Sequence, residues 1–411
     1  MAKDPKMMIE PPSRPRIAPL STGEFIALTA MLFATIAFSI DSMLPALPQI
    51  ALELTPADPN RAQLILTSFV LGMGIGTLFA GPLSDAFGRK NTIMAGAALY
   101  SLAALAAYVA PSLETVLLAR LVQGLGAAGP RIVTLAMVRD LYRGREMARI
   151  MSFTMMFFIL VPAIAPMMGQ VIIAGFGWRG VFLAFLVFSA VSMVWLGLRQ
   201  PETLPPAQRR PLSGAELWSA LREVLSHRVI VMSVAVQTLV FGCLFGCLSQ
   251  IQQIFDQAYG RGDSFPQWFA LIALASGLAS ITNARLVGRL GMRFLVRRTI
   301  GVQAALSLAV LLAFAAGVVP EAAQFYVCFA WMLGVFAMAG LTIGNLNALA
   351  MEPVGHIAGM AASVTGAIAT VGAVVLAAPL GLAFDGTPLP LMAGIALFAS
   401  VAWMLTRGLA R

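Results

Sequence analysis

Twelve long apolar stretches follow one another along the chain, and short polar segments separate them. A helix needs roughly 20 predominantly apolar residues to cross the hydrocarbon core of a bilayer, and each stretch has about that length. The apolar residues lack the period-two alternation of a membrane β-barrel, which excludes that architecture. The predicted spans cover residues 22–50, 63–83, 92–110, 114–136, 149–174, 179–198, 227–254, 266–287, 299–318, 323–348, 357–380 and 388–407.

The composition agrees with a chain that lies in lipid. Of its 411 residues, 59% are apolar and 11% are charged, and the mean hydropathy is +0.86. Soluble globular proteins carry roughly 25% charged residues, so this chain cannot cover itself with a water-facing surface. The composition excludes a cytosolic enzyme, a disordered chain and a disulfide scaffold, and it predicts an all-α polytopic membrane protein.

The basic residues predict the orientation, because Lys and Arg stay on the cytoplasmic side of membrane proteins. With the amino terminus inside, the cytoplasmic segments hold 22 of the 27 basic residues. The outer loops hold Arg61, Arg179 and Arg261, and the spans hold Arg120 and Arg131. We therefore expect both termini in the cytoplasm. The net charge of +9 reflects this topology and not nucleic-acid binding.

The longest polar stretch, residues 199–226, divides the chain into two groups of six spans. We predict an N-terminal bundle over 21–198 and a C-terminal bundle over 227–411, joined by this cytoplasmic linker. Within the linker, the segment from Ser213 to Arg222 is expected to form a short amphipathic helix at the inner surface. Residues 1–20 are expected to be a disordered tail, whose first residues could come from an expression vector.

The two halves repeat a short loop sequence. After the second span the chain reads Gly81-Pro-Leu-Ser-Asp85-Ala-Phe-Gly88-Arg89-Lys90. After the eighth span, Leu286, Gly291 and Arg293 align in register with Leu83, Gly88 and Lys90. A parallel repeat of two six-helix halves is a known plan for transporters, with the substrate site between the halves near mid-membrane.

Motifs in the first half carry a resemblance to a known family. The segment from Gly81 to Lys90 resembles motif A of the major facilitator superfamily. The fourth span carries Arg120-Leu-Val-Gln123-Gly124-Leu-Gly126, which is similar to motif B of its proton-driven drug exporters. The fifth carries Pro162-Ala-Ile-Ala-Pro166-Met-Met-Gly169, similar to a reduced motif C. With Asp41-Ser-Met-Leu-Pro45 in the first span, these motifs resemble the Bcr/CflA branch of the twelve-helix drug:proton antiporters.

The resemblance implies the major facilitator fold and a function. The function would be proton-coupled efflux of drugs or other small molecules across the bacterial inner membrane by alternating access. The partners would be a small-molecule substrate, protons and the lipid bilayer, with no cofactor and no nucleic acid, and we expect a monomer. A major-facilitator importer of a metabolite or siderophore is the alternative. A membrane enzyme or sensor is disfavoured, because the sequence contains no catalytic constellation or extended soluble domain.

The motif residues then have expected mechanical roles. In motif A, a latch that stabilises the outward-facing state would be formed by Gly81, Asp85, Gly88, Arg89 and Lys90; a plain topology signal is the alternative. In motif C, Pro162, Pro166 and Gly169 would suit a hinge or a tight interface between the halves. A simple kink is equally consistent, because proline interrupts the helical hydrogen bonds.

Asp41 is the only acid placed well inside a span, and ionisable groups there usually face a cavity or a partner. Counted from Thr22, it lies ~28 Å along the first helix. Arg120 lies ~9 Å from the outer start of the fourth span. Both then fall in the outer third of a core ~30 Å thick, where they could interact. We predict Asp41 as the proton acceptor and Arg120 as the group that tunes it. The alternative is that Asp41 caps the first helix, which Pro45 would end.

Further polar residues are candidates for the substrate cavity. Arg131 either extends to the cytoplasmic headgroups or lines the cavity and attracts anionic or polar substrates. Because polar groups in a membrane prefer protein or water, amides are favoured over most Met and Phe residues. The candidates are Gln123, Arg131, Met155, Phe158, Gln237, Gln250, Gln253 and Asn345.

The sequence predicts neither a metal site nor a nucleotide site. Cys243, Cys247 and Cys328 lie inside apolar runs, where packing is the simplest role. A phosphate-binding Gly-Lys-Ser/Thr loop is lacking, so the protein is not expected to use ATP. The glycines of the run 72–76 lie in a span and are expected to serve helix packing.

Overall fold

A computed structural model describes residues 20–409, except for the side chains of Ala148, Phe157, Phe158 and Ile159. The expected tail therefore lies outside the described residues. The described part contains α-helices and short 3-10 or π segments, and no strand. The helices are α1 Thr22–Asp41, α2 Leu47–Leu54, α3 Leu64–Phe87, α4 Arg89–Tyr108, α5 Leu113–Leu141, α6 Gly144–Phe176, α7 Arg179–Arg199, α8 Gly214–Ser226, α9 Arg228–Gln253, α10 Phe265–Leu290, α11 Met292–Ala315, α12 Glu321–Met351, α13 Ala358–Leu382 and α14 Leu389–Leu405.

Eleven stretches of the described residues are long and apolar enough to cross a membrane. One of them, Glu321–Leu382, has 62 residues, which at 1.5 Å per residue is about three bilayer cores long. It contains two helices, α12 and α13, separated by the 3-10 segment Glu352–Ile357. Counted separately, these helices bring the number of crossings to twelve, as the sequence predicted. Several helices run past their apolar cores, for example α6, which begins at Gly144.

Two glycines make the equivalent turns of the repeated loops. Gly88 separates α3 from α4 with φ +97° and ψ 156°, and Gly291 separates α10 from α11 with φ +81° and ψ 151°. This backbone conformation strongly favours glycine. The aligned sequences therefore fold into the same tight junction.

The three helices α3, α4 and α5 pack closely through glycine. Added Cβ atoms at Gly72 and Gly124 would lie 1.9 Å from the Leu121 carbonyl oxygen and 2.0 Å from the Phe69 carbonyl oxygen, so α3 and α5 touch backbone to backbone. One at Gly126 would lie 2.5 Å from the Gly96 oxygen of α4. The glycine run in α3 thus serves helix packing, as expected, and α5 is held between two neighbours.

The helices before and after the linker meet along two seams. α3 packs against α13, and α6 packs against α10. In the linker, the predicted amphipathic segment forms α8, whose N-cap Ser213 accepts a hydrogen bond from the Glu216 N–H. Leu217, Leu221 and buried Val224 pack with the ends of α9 and α13. The linker helix α8 therefore packs against α9 and α13, beside the contact between α3 and α13.

Candidate functional site

Arg120 is the most enclosed charged residue of the candidate site, with 0% of its surface exposed. Its guanidinium donates to the Ile65 carbonyl oxygen at 3.3 Å, to Gln123 Oε1 at 2.7 Å and to the Ser39 carbonyl oxygen at 3.0 Å. It also lies 4.3 Å from the centre of the Phe69 ring. Each oxygen that it binds is uncharged. Arg120 is thus a buried cation that the described residues leave without a carboxylate partner.

Asp41 ends α1 and is 6% exposed. Among the described residues, its carboxyl group makes neither a hydrogen bond nor an ion pair. The end of α1 is closed by the Ser42 N–H, which donates to the Phe38 carbonyl oxygen, and not by the Asp41 side chain. The structure therefore does not show the capping role that was the alternative for this residue.

Asp41 and Arg120 lie near one another but are not paired. Their connection runs through Ser39, two residues before Asp41, whose carbonyl oxygen accepts from Arg120 Nη2. The Ser39 hydroxyl is also hydrogen-bonded to the Tyr100 hydroxyl at 2.5 Å. The structure thus places the Arg120 guanidinium at the end of α1 that carries Asp41, where it binds the Ser39 carbonyl oxygen and not the Asp41 carboxyl group. The tuning of Asp41 by Arg120 stays a prediction.

Sequence reasoning missed Ser39 and Tyr100, which connect α1 with α4. Tyr100 is 1% exposed and Ser39 is fully buried. The available signal was a tyrosine hydroxyl in the middle of the apolar run 92–110, because a buried hydroxyl needs a partner. The partner itself could not be identified without the packing of α4 against α1.

Motif C lies against the helix end that carries Asp41. A Cβ added at Gly169 of α6 would lie 2.2 Å from the Ser42 carbonyl oxygen. Pro162 and Pro166 lie one turn apart earlier in α6. Gly169 thus forms a tight contact with α1 of the same half. The roles expected for motif C, which were a hinge, a tight interface between the halves or a simple kink, stay predictions. α6 as a whole also packs against α10 of the other half.

Arg131 lies on α5, eleven residues after Arg120, and is partly exposed. Its one described hydrogen bond is from Nη1 to the Met73 sulfur at 3.9 Å, and a thioether is a weak acceptor. Two other residues predicted to line the cavity are Met155 and Phe158, and for both this role stays a prediction. Met155 is partly exposed, and the Phe158 side chain lies outside the described residues.

Two carboxamide pairs connect helices of the second half. Gln237 of α9 donates to Asn347 Oδ1 of α12 at 3.0 Å, and Asn345 of α12 donates to Asn283 Oδ1 of α10 at 2.7 Å. Gln237 and Asn345 are buried, whereas Asn347 is exposed. Gln237 and Asn345 therefore form contacts between helices, and their place in a substrate cavity stays a prediction.

A second group of amides connects the two halves at the end of the bundle that carries Asn60. Gln253 donates to Asn60 Oδ1 at 2.9 Å, and Asn60 donates to the Leu382 and Phe384 carbonyl oxygens at 3.1 and 2.7 Å. Gln63 contacts Gln253. We call Asn60, Gln63 and Gln253 the amide clasp. Gln250 lies next to it and donates to the Leu380 carbonyl oxygen. The structure thus places Gln250 and Gln253 at this end and not at mid-depth.

Motif A forms a charged network at the opposite end. Arg89 contacts Asp85 and donates from Nε to Asp140 Oδ2 of α5 at 3.1 Å. Lys90 Nζ donates to the Gly197 carbonyl oxygen of α7 at 2.7 Å. Gly81 packs near Ser363 of α13, whose hydroxyl would lie 3.1 Å from an added Cβ. Motif A thus connects α3, α4, α5 and α7 and touches the other half.

Linker residue Glu202 completes this network, and sequence reasoning missed it. Its carboxylate accepts from the backbone N–H groups of Arg89 and Lys90 at 2.9 and 3.1 Å. These are free N–H groups in the first turn of α4, which attract a negative charge. A cap from a distant part of the chain gives no local sequence pattern, so only the fold shows it.

A bundle of twelve crossings, with a buried acid at the end of α1, a buried arginine of α5 close to it and polar contacts between the halves, defines a polytopic membrane transporter. The family model described as the Major Facilitator Superfamily matches residues 27–379. The chain belongs to this superfamily, which is a family of transporters.

Curated relatives support the drug-exporter branch that the motifs indicated. The chain is 30% identical to the "Uncharacterized MFS-type transporter YdgK" of Bacillus subtilis over 80% of its own length and 81% of the relative's. It is 30% identical to the "Bicyclomycin resistance protein homolog" of Haemophilus influenzae over 69% and 71% of the two chains. It is 28% identical to the "Multidrug resistance protein MdtL" of Shewanella oneidensis over 68% and 70%.

Solved structures share the fold at low sequence identity. A D-xylose-proton symporter superposes with a TM-score of 0.75 at 15% identity, covering 94% of this chain and 99% of the other. The xylose transporter XylE from E. coli, in a partially occluded inward open conformation, gives 0.71 at 12% identity over 93% and 96%. These similarities establish the major facilitator fold.

Proposed function

We propose that this protein exports small molecules, drugs among them, across the bacterial inner membrane in exchange for protons. Relatives named for bicyclomycin and multidrug resistance support drug efflux, and motifs B and C support the exchange for protons. The distribution of basic residues supports cytoplasmic termini. The Asn60 end of the bundle then faces outward and the motif A end faces the cytoplasm.

The observation that carries the proposal is the unpaired carboxyl group of Asp41. An acid that is nearly buried and makes no ion pair among the described residues is costly as an anion in a membrane interior, and such residues mark proton pathways. Asp41 follows Ser39, to which the Arg120 guanidinium is bound, and precedes Ser42, which touches motif C. A change in the protonation of Asp41 therefore acts on the contacts of α1 with α5 and α6.

Alternating access requires contacts at both ends that form and break in turn. The amide clasp joins the halves at the Asn60 end, and the motif A network adjoins the seam between α3 and α13 at the other. In the proposed cycle, Asp41 takes up a proton from the outer side when the clasp is open. It releases the proton inward after the clasp has closed, as the substrate enters from the cytoplasm.

The test is transport in proteoliposomes that contain purified protein and have an acidic lumen in neutral buffer. Protein that is inserted inside-out has its cytoplasmic face toward the neutral buffer. We expect the pH gradient to drive uptake of radiolabelled chloramphenicol into the lumen through these protein molecules. Asp41→Asn should abolish this pH dependence while the protein stays in the membrane. Asp58→Asn is the matched control, because Asp58 is an exposed acid in the loop between α2 and α3.

Two outcomes would contradict the proposal. Equal stimulation by the gradient in Asp41→Asn would remove Asp41 from proton coupling. Accumulation in the same direction as proton flow, instead of against it, would replace the exporter with the importer alternative.

A further inference from the structure

Two arginines on the same face of α5 have very different surroundings. Arg120 and Arg131 are eleven residues apart, which is about three turns. Every described contact of the Arg120 guanidinium ends on a protein oxygen or an aromatic ring. The Arg131 guanidinium, by contrast, has only the weak Met73 sulfur among the described residues. Arg131 therefore retains several N–H donors for another partner.

The direction of the Arg131 side chain excludes a simple extension to the headgroups. Arg131 lies ten residues, or about 15 Å, from the Leu141 end of α5, which is the nearer end. Gly72 lies against Leu121 and Gly76 against Leu125, so α3 and α5 run parallel with a constant offset. With that offset, Met73 of α3 is level with residue 122 of α5. Met73 therefore lies nine residues, or about 13 Å, farther than Arg131 from the Leu141 end of α5. The guanidinium therefore points toward the middle of the bundle.

Both acids of α5 are already engaged. Asp140, on the same helix, accepts from Arg89, and Glu114, at the helix start, accepts from Arg61. Asp41 lies at the far end of α1, beyond the level of Arg120. A guanidinium is always charged and has no acceptor, so it favours carboxylate or other oxygen acceptors and repels cations. A partly exposed, mid-depth donor of this kind is suited to a ligand that the protein takes up and releases.

We propose that Arg131 forms a substrate subsite for an acceptor oxygen group, such as a carboxylate, nitro or carbonyl group. This inference rests on the proposed transport function and narrows its substrates. The subsite selects molecules that are anionic or uncharged but rich in acceptors. Permanent organic cations are poor ligands, because they gain no hydrogen bond there and face an uncompensated positive charge.

The test is equilibrium dialysis of purified protein in detergent with three probes: nalidixate, a carboxylate; chloramphenicol, a neutral nitro compound; and ethidium, a permanent cation. We expect wild-type protein to bind nalidixate and chloramphenicol in preference to ethidium. Arg131→Met should weaken nalidixate binding about tenfold to a hundredfold, as expected for one lost charge-assisted hydrogen bond. Arg131→Lys, which keeps the charge, should retain part of the affinity.

Arg139→Met is the matched control, since Arg139 is an exposed arginine two turns farther along α5. It should bind all three probes as the wild type does. Wild-type preference for ethidium, no binding of either acceptor-bearing probe, or unchanged nalidixate affinity in Arg131→Met would each overturn the subsite.

The experiment separates this inference from the proposed exchange of substrate for protons, because dialysis needs no membrane and no pH gradient. Binding that depends on Arg131, combined with transport that ignores the gradient, would overturn proton coupling and support the subsite. Gradient-driven export, combined with unchanged nalidixate binding in Arg131→Met, would support proton coupling and overturn the subsite.

Discussion

Replacing Gly169 by alanine tests whether the contact of motif C with α1 supports the Asp41 site. The added Cβ would lie 2.2 Å from the Ser42 carbonyl oxygen and 3.0 Å from its carbonyl carbon. A carbon and a carbonyl oxygen normally stay at least about 3.3 Å apart. α1 and α6 would have to separate by about 1 Å at the residue after Asp41. The atoms in the way belong to the backbone, so no side-chain rotation relieves the clash.

The size of the effect follows from a comparison with Gly175→Ala. Gly175 lies on the same helix, and nothing lies within 4 Å of a Cβ added there. Both replacements gain helix propensity, up to about 1 kcal/mol, so their difference isolates the contact with Ser42. Overpacking of a well-packed site costs about 1–3 kcal/mol. We therefore expect Gly169→Ala to be less stable than Gly175→Ala by about that amount.

The three native cysteines make a convenient assay. Cys243, Cys247 and Cys328 are at most 1% exposed, so a thiol-reactive fluorescent dye reports their exposure on unfolding. In thermal ramps of the detergent-solubilised protein, Gly169→Ala should have an apparent Tm about 1–3 °C below that of Gly175→Ala. Its proton-driven transport should also fall. If the two variants unfold and transport alike, the contact does not support the site and the reasoning fails.

Three further perturbations test the other contacts. Arg120→Lys keeps the charge but loses the planar fork that reaches three oxygens, so we expect at least a tenfold slower proton-driven uptake; a wild-type rate would contradict this. Glu202→Gln replaces one acceptor oxygen at the start of α4 by a donor, so it should lower the free energy of unfolding by about 1 kcal/mol and speed trypsin cleavage at Arg209. Unchanged cleavage would argue against Glu202 as the cap of α4. Gln253→Leu removes the hydrogen bond to Asn60, so a cysteine placed at buried Ser249 should react with a thiol reagent about fivefold faster. Equal rates would mean that the amide clasp does not hold that end closed.

The sequence predicted the fold well because its signals are local. Each crossing has its own apolar run, and the junction at Gly88 reappears at Gly291 because both loops need a backbone conformation that only glycine adopts easily. The expectation that the glycines of α3 serve packing also depended only on their position within a span.

The partners of the buried charges depend instead on which turns of different helices face one another. Arg120 could be identified from its place in an apolar run, but the Ser39 and Ile65 oxygens that it binds give no pattern along the chain. For the same reason, Gln253 could be identified as a polar residue in a span but not as a partner of Asn60, which lies 193 residues away. The direction of Arg131 likewise depends on the offset between α3 and α5.

The amide clasp has a consequence for the conditions in which the protein can work. Its side chains are carboxamides and its remaining acceptors are backbone carbonyls, so none of the described contacts that form it carries a net charge. Dissolved ions screen charges but hardly affect hydrogen bonds between neutral groups. The free energy of separating the halves at this end should therefore stay nearly constant from dilute water to brine. If this end faces outward as proposed, a cell that meets large changes in external salinity would have a transporter whose contacts at the Asn60 end open equally readily at low and at high salt.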